Sequence, residues 1–217
     1  MNLLADVVSY GDDTVTLRLP VDVRRVMLQR EVRQCELRLD DGRTISGEQR
    51  RKIYATIGDI ARWSGDAPEW IKACLKWQFC TAADREDFSL SDTDMTTASD
   101  FIGYLIDFCL RWNVPCSDPL YLRCDDIGRY IYRCVELRIC AITGRPGADI
   151  HHVDRVGRRK RAEISHVGMR VMPLCREWHD RVHTENEAAI YRDHHLEPIA
   201  LDAYLVKHLR IGCQQID

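Results

Sequence analysis

The residues with the most to offer chemically are four histidines late in the chain: His151, His152, His179 and His183. His179 and His183 stand four apart. On a helix that spacing puts both imidazoles on one face, one turn from each other, a rigid half-site for a metal ion. A third ligand must come from a different element. The run Ile150-His151-His152-Val153 reads as a short strand. Neighbours on a strand point to opposite sides, so one of His151 and His152 can join the metal and the other is left to act on water or substrate. That division of labour suits hydrolysis of a phosphodiester. An ion stabilises charge on the phosphate and leaving oxygen, and a neutral imidazole, with an unperturbed pKa of about 6.5, takes a proton from water. Three histidine ligands would also serve a structural zinc site, but a spare histidine beside a ligand favours catalysis.

These side chains need a strand, a second strand and a helix to hold them, and the local sequence supplies all three. Thr143-Gly144-Arg145-Pro146-Gly147 is a turn, Arg170-Val171-Met172 is a strand, and a helix begins at 176–184. Between the strands lie Arg155, Arg158, Arg159, Lys160 and Arg161, five cations within seven positions that form an electrostatic footprint for phosphate. His194-His195 and His208 have no spacing that connects them to the other four and read as surface or packing residues.

The preceding chain has a different texture. All eight histidines fall after residue 150, as when two modules with separate jobs are joined, and the boundary is placed near residue 138. Residues 4–20 alternate apolar and polar around Gly11-Asp12-Asp13, as in a hairpin. A short helix is expected over 21–30, and Cys35–Leu39 runs into the turn signal Asp41-Gly42. Ser46 is an N-cap for a helix over 48–64, with Ile53, Ile57, Ile60 and Ala61 on one face. Residues 66–80 are helical and 81–95 form an exposed loop. A helix over 97–112 opens on a Thr97–Asp100 capping box. Asp118-Pro119 starts another that runs towards Cys140. The fold class is therefore α+β: a mixed N-terminal domain over 1–137 and a small strand–strand–helix domain over 138–217.

Composition narrows the classes. With 217 residues, 45% hydrophobic and 30% charged, the chain can bury a sizeable core and is not disordered. A net charge of −3 means that any surface for nucleic acid is a local patch. No apolar run is long enough to span a bilayer, and the N-terminus does not read as a signal peptide. Ten cysteines without a CxxC pair read as small buried hydrophobes in a reducing cytoplasm.

The ordered motifs Cys140-Ala-Ile-Thr-Gly, His151-His152-Val153-Asp154, Pro173-Leu174-Cys175 and His179-x-x-x-His183 resemble an HNH endonuclease over residues 138–185. The resemblance implies two strands and a helix clasping one divalent ion per chain, magnesium or manganese, with zinc or nickel also compatible. It makes His151, His179 and His183 the ligands and His152 the general base. One position departs from the family. Its central Asn, which holds the metal loop or orients the base, should fall near Arg170, and Arg170 or His166 must fill the gap. The zinc-knuckle cysteine pairs are also missing.

Residues 46–63, with Arg50-Arg51-Lys52 near the start, resemble the Orf (NinB-like) recombination mediators of lambdoid phages, as do Phe88–Met95 and the helix ending Asn113-Val114. That likeness covers residues 1–117 and implies a homodimer that binds single-stranded DNA. The cluster Arg50, Arg51 and Lys52 is either a solvated face or a phosphate contact. Trp63, Trp70 and Trp77 suit a core, the alternative being to stack on unpaired bases. End to end, the chain is similar to phage proteins that join such a module to an HNH unit. The resemblance implies DNA recombination or repair in the host bacterial cytoplasm, on single-stranded, branched or duplex DNA. A host recombinase or single-strand-binding protein is a candidate partner. The alternative is a non-catalytic mediator whose C-terminal unit is a metal-stapled DNA-binding fold.

Overall fold

A computed structural model describes residues 5–19, 22–24, 27, 43–154 and 166–211. The hairpin over 35–42, most of the helix expected over 21–30, and the cations Arg155, Arg158, Arg159, Lys160 and Arg161 lie outside the described residues.

The first hairpin forms where the alternation places it. β1 (Asp6–Tyr10) pairs antiparallel with β2 (Val15–Arg18), from Asp6 opposite Arg18 to Tyr10 opposite Val15. The Gly11 N–H closes the turn on the Thr14 carbonyl at 2.8 Å.

Three helices follow. α1 (Gly47–Ser64) is capped as its sequence suggests. The Ser46 hydroxyl accepts from the Gln49 N–H, and the Gln49 side chain accepts from the Ser46 N–H, so two orphan donors are satisfied reciprocally. Gly65 stops the helix at φ 81°, a conformation costly for residues with a Cβ, and its N–H donates to the Ala61 carbonyl. Ile53, Ile57, Ile60 and Ala61 are all buried, each isoleucine worth about 1.5–3 kcal/mol of removal from water. α2 (Pro68–Ala82) starts with proline at its first turn, and α3 (Met95–Trp112) packs on α1. α3 begins two residues before the expected start, because Asp94, not Thr97, is the cap: its carboxylate accepts the Thr97 N–H at 2.7 Å. A carboxylate is the better N-cap, and the Thr97 side chain turns into the core.

The long helix expected from Asp118 also differs. A 3-10 turn, Leu120–Leu122, comes first, and α4 (Ile127–Leu137) starts afresh from an Asp126 cap whose carboxylate accepts the Arg129 N–H at 2.9 Å. Asp118 is drawn instead to Arg123, at 2.9 Å. Arg123 is buried and also meets Asp59 of α1 at 2.6 Å, while the Ser117 N–H and the Arg62 guanidinium complete the Asp59 shell. This network ties the turn to α1 and breaks the helix.

The C-terminal part is built on a three-stranded antiparallel sheet in the order β3-β4-β5: Asp149–His152, Arg170–Leu174 and Ile199–Ala200. α5 (Arg176–Thr184) leaves β4 directly, and α6 (Glu187–Asp193) and α7 (Ala203–Leu209) complete it. α4 packs on α3 on one side and on β4, β5 and α7 on the other, so the buried side chains form one continuous cluster from Ile45 to Leu209. Residue 138, where the sequence places a boundary, is the left-handed C-cap of α4. Mixed helices and small sheets agree with the α+β class. Among the described residues no helix is long and apolar enough to cross a membrane. Cys80, Cys109, Cys134 and Cys140 are free and buried.

Candidate metal centre

The antiparallel pairing of β3 with β4 sets His151 opposite Met172 and His152 opposite Val171. Strand alternation then separates the two histidines. His151 is buried and turns towards α5. Its ring centroid lies 5.1 Å from that of His179 and 4.9 Å from that of His183. α5 begins one residue after β4, with Cys175 as its N-cap, so the helix is aimed by the strand that precedes it. His179 and His183 fall one turn apart, with their Nε2 atoms 3.3 Å from each other. The ligand nitrogens of His151, His179 and His183 all lie within 4.8 Å of one another, and burial grades from His151, enclosed, to His183, exposed. The triad is thus closed behind and open in front.

His152 faces the other way. Its Nε2 lies 2.9 Å from Nδ1 of His166, which is 1% exposed. Gly168 makes the sharp return after His166 at φ 85°, and its N–H donates to the Leu201 carbonyl at 2.7 Å. Arg170, the other candidate for the missing Asn, is exposed and committed to Asp154. Its N–H and its guanidinium both donate to that carboxylate, at 2.7 Å each, and hold the Asp154 carboxyl below its usual range.

Two carboxylates that the motif does not contain flank the triad. Asp149 Oδ2 is 3.1 Å from His179 Nδ1, and this hydrogen bond holds its pKa below the usual value. Glu187, the first residue of α6, brings Oε1 to 2.9 Å from His151 Nε2, and the Tyr191 hydroxyl donates to the same oxygen at 2.9 Å. Burial lowers the His151 pKa and outweighs Glu187, which would raise it; the neutral imidazole is the form that binds metal. A signal for Asp149 was present, since it stands two residues before His151 on the same strand face. Glu187 has no such signal, because a new helix brings it to the site.

The chain has a family. Residues 17–212 match the family model described as Putative HNHc nuclease. The chain belongs to that family. No curated protein and no solved structure matches it. The family match spans both halves of the chain.

The donor set meets what a metal in an HNH nuclease asks of it: three convergent imidazoles, one kept neutral by burial, with carboxylates on two outer nitrogens. The other candidates lie apart from that set. Arg50 and Arg51 are exposed on α1. Lys52 is held by Asp125 at 2.8 Å and Glu48 at 3.3 Å; burial opposes its charge, but the two carboxylates prevail and its pKa is raised. Trp63, Trp70 and Trp77 are 44%, 63% and 69% exposed, which corrects their reading as core. Ile71, Leu75 and Phe79 fill the core side of α2 and leave Trp70 and Trp77 outside. His194 packs between Tyr121 and Trp178, and His208 stacks on Tyr204, as expected of residues outside the site.

Proposed function

We propose that the chain is a metal-dependent HNH endonuclease that hydrolyses DNA phosphodiester bonds. His151, His179 and His183 hold one divalent ion and His152 is the general base. The observation that carries this reading is the opposite orientation of the adjacent histidines, one in the triad and the other on His166 at 2.9 Å. A divalent ion in the triad supplies charge stabilisation at the scissile phosphate. His152 removes a proton from the attacking water. His166 is a positioning residue that sets the ring of His152. The two tasks of the missing Asn are therefore divided: His166 orients the base, and Arg170 ties the strand ends through Asp154. Three nitrogens without a carboxylate among them favour zinc or nickel over magnesium or manganese, which prefer oxygen.

On the substrate side, Arg155, Arg158, Arg159, Lys160 and Arg161, which fall in sequence between β3 and β4, supply phosphate contacts. The outward face of α1 supplies more: Arg50, Arg51 and the half-exposed Tyr54, with Lys72 Nζ 5.6 Å above its ring. An aromatic ring edged by cations suits an unpaired base and its phosphate, which supports single-stranded DNA binding by the N-terminal part. A phage recombination or repair role in a bacterial cytoplasm, beside a host recombinase or single-strand-binding protein, completes the reading.

Metal content and nicking, measured in parallel on two variants, test it. His152→Ala should keep the metal and DNA affinity and lose cutting by about 10²–10⁴-fold; His151→Ala should lose the metal. Full occupancy with undiminished cutting in His152→Ala sinks the mechanism. A metal-loaded wild type that cuts neither duplex, single-stranded nor branched DNA is the non-catalytic mediator.

A further inference from the structure

α3 ends in a turn that folds the chain back on the helix. Asn113 takes the left-handed conformation at φ 49°. The Val114 N–H donates to the Cys109 carbonyl at 3.0 Å, and the Asn113 N–H donates to the Leu110 carbonyl at 3.4 Å. That pair of bonds is a Schellman closure, which returns the following residues towards the last helical turn. Val114 is buried, and Pro115 limits the directions the chain can take next. Cys116, seven residues beyond Cys109 in sequence, is thereby brought beside it, and the two thiols are hydrogen-bonded to each other.

The two sulfurs are unlike. Cys109 is 1% exposed, whereas Cys116 is partly exposed. The Cys109 thiol donates and the Cys116 sulfur accepts, which lowers the Cys116 pKa. Burial and Asp59 act against this shift, and the Arg123 and Arg62 guanidinium groups act with it. The same hydrogen bond, together with burial, pushes the Cys109 thiol up. A reachable sulfur inclined to the thiolate, the nucleophilic form, thus stands against an enclosed sulfur that keeps its proton.

We propose that Cys109 and Cys116 are a peroxide-reactive dithiol, in which Cys116 attacks and Cys109 resolves the product to an intrachain disulfide. The Cys116 sulfur attacks one oxygen of hydrogen peroxide. The O–O bond breaks, hydroxide leaves and is protonated to water, and Cys116 becomes a sulfenic acid. The Cys109 sulfur then attacks the Cys116 sulfur. An S–S bond forms, the S–O bond breaks, and the departing hydroxide takes the Cys109 proton as a second water. The two thiols lose two electrons, and the peroxide gains them. The cross-link falls one residue before Ser117, whose N–H and hydroxyl donate to Asp59 at 3.1 and 3.3 Å and whose oxygen accepts from Arg123 at 2.8 Å. It therefore fastens the segment that ties the Leu120–Leu122 turn to α1 onto the end of α3. No residue of the metal centre takes part in the step.

Stoichiometric hydrogen peroxide on the full chain, read by peptide mass mapping, tests this. The wild type should lose two hydrogens and yield a linked peptide pair joining Cys109 to Cys116. Cys109→Ser keeps a donor beside Cys116 but cannot resolve, so the same treatment should leave a sulfenic acid at Cys116 that dimedone captures. Cys116→Ser should yield neither product. Iodoacetamide at neutral pH should alkylate Cys116 of the wild type about tenfold faster than Cys124, whose thiol burial pushes up to about 11; this readout needs no variant. Equal alkylation rates overturn the proposal. So does a wild type in which Cys109 and Cys116 stay reduced, a disulfide that joins other cysteines, or first oxidation at Cys74 or Cys175, two other partly exposed thiols.

Discussion

The two halves of this molecule present their chemistry in opposite ways. In the C-terminal part the histidines turn inward, and several are steadied by further side chains: His151 by Glu187, His179 by Asp149, His152 by His166. In the N-terminal part Tyr54, Trp70, Trp77 and Arg51 turn outward from helices whose inner faces are filled with isoleucine, leucine and phenylalanine. An ion is small and must be enclosed by ligands of fixed direction. A polymer or a second protein is large and can only be met on a surface. The difference teaches which evidence finds each kind of site: residue spacing finds the first, exposure the second.

The comparison breaks most readily at the helix ligands. His179→Ala or His183→Ala should abolish binding of a divalent ion by titration calorimetry and remove the stabilisation that the ion gives to the fold; unchanged affinity in both would take α5 out of the site. The N-terminal half should answer most strongly at its buried charges. Asp59→Ala leaves Arg123 without its inner partner and should cost about 3–5 kcal/mol in denaturant unfolding, with metal affinity retained; a cost near zero would mean that the network is not what holds the Leu120 turn to α1. A smaller effect sharpens the role of the flanking carboxylates. Glu187→Gln keeps the shape but weakens the hold on His151, and metal affinity should fall about 10–100-fold. No change there would make Glu187 a bystander. Smallest of all, Arg51→Ala should reduce single-stranded DNA affinity modestly and lower the salt dependence of binding by roughly one ion; an unaltered slope would place the phosphates elsewhere.

How far the sequence could be read follows from the range of each interaction. The helix over Gly47–Ser64 was legible because its signals, Ser46 and the isoleucine face, are local. So was the triad, because His179 and His183 are neighbours on one helix and His151 lies on the adjoining strand. The start of α3 was misplaced by two residues because Asp94 and Thr97 both have cap chemistry and only the packing of Thr97 chooses between them. The helix expected from Asp118 failed for a longer-range reason: Arg123 recruits Asp118 into a pair with Asp59, more than fifty residues away. Glu187 could not be found in advance, and the outward direction of Trp70 and Trp77 depends on which face of α2 the core claims.

The position of α4 has a consequence for how the protein melts. One side of this helix lies on α3, where Arg129 and Arg133 meet Asp107; the other lies on the sheet and α7, where Tyr132 reaches Asp202 and Tyr204 reaches Glu136. Neither half can unfold without stripping one face of the helix the other half needs. The two should therefore lose structure in a single cooperative transition. Ion loading at His151, His179 and His183 should raise the melting temperature reported by the tryptophans of α2, by the free energy RT ln(1 + [ion]/Kd) shared across the whole chain. By the same linkage, any ligand on the helical face whose binding stiffens α4 tightens the hold on the ion, and the ion returns the favour by an equal factor.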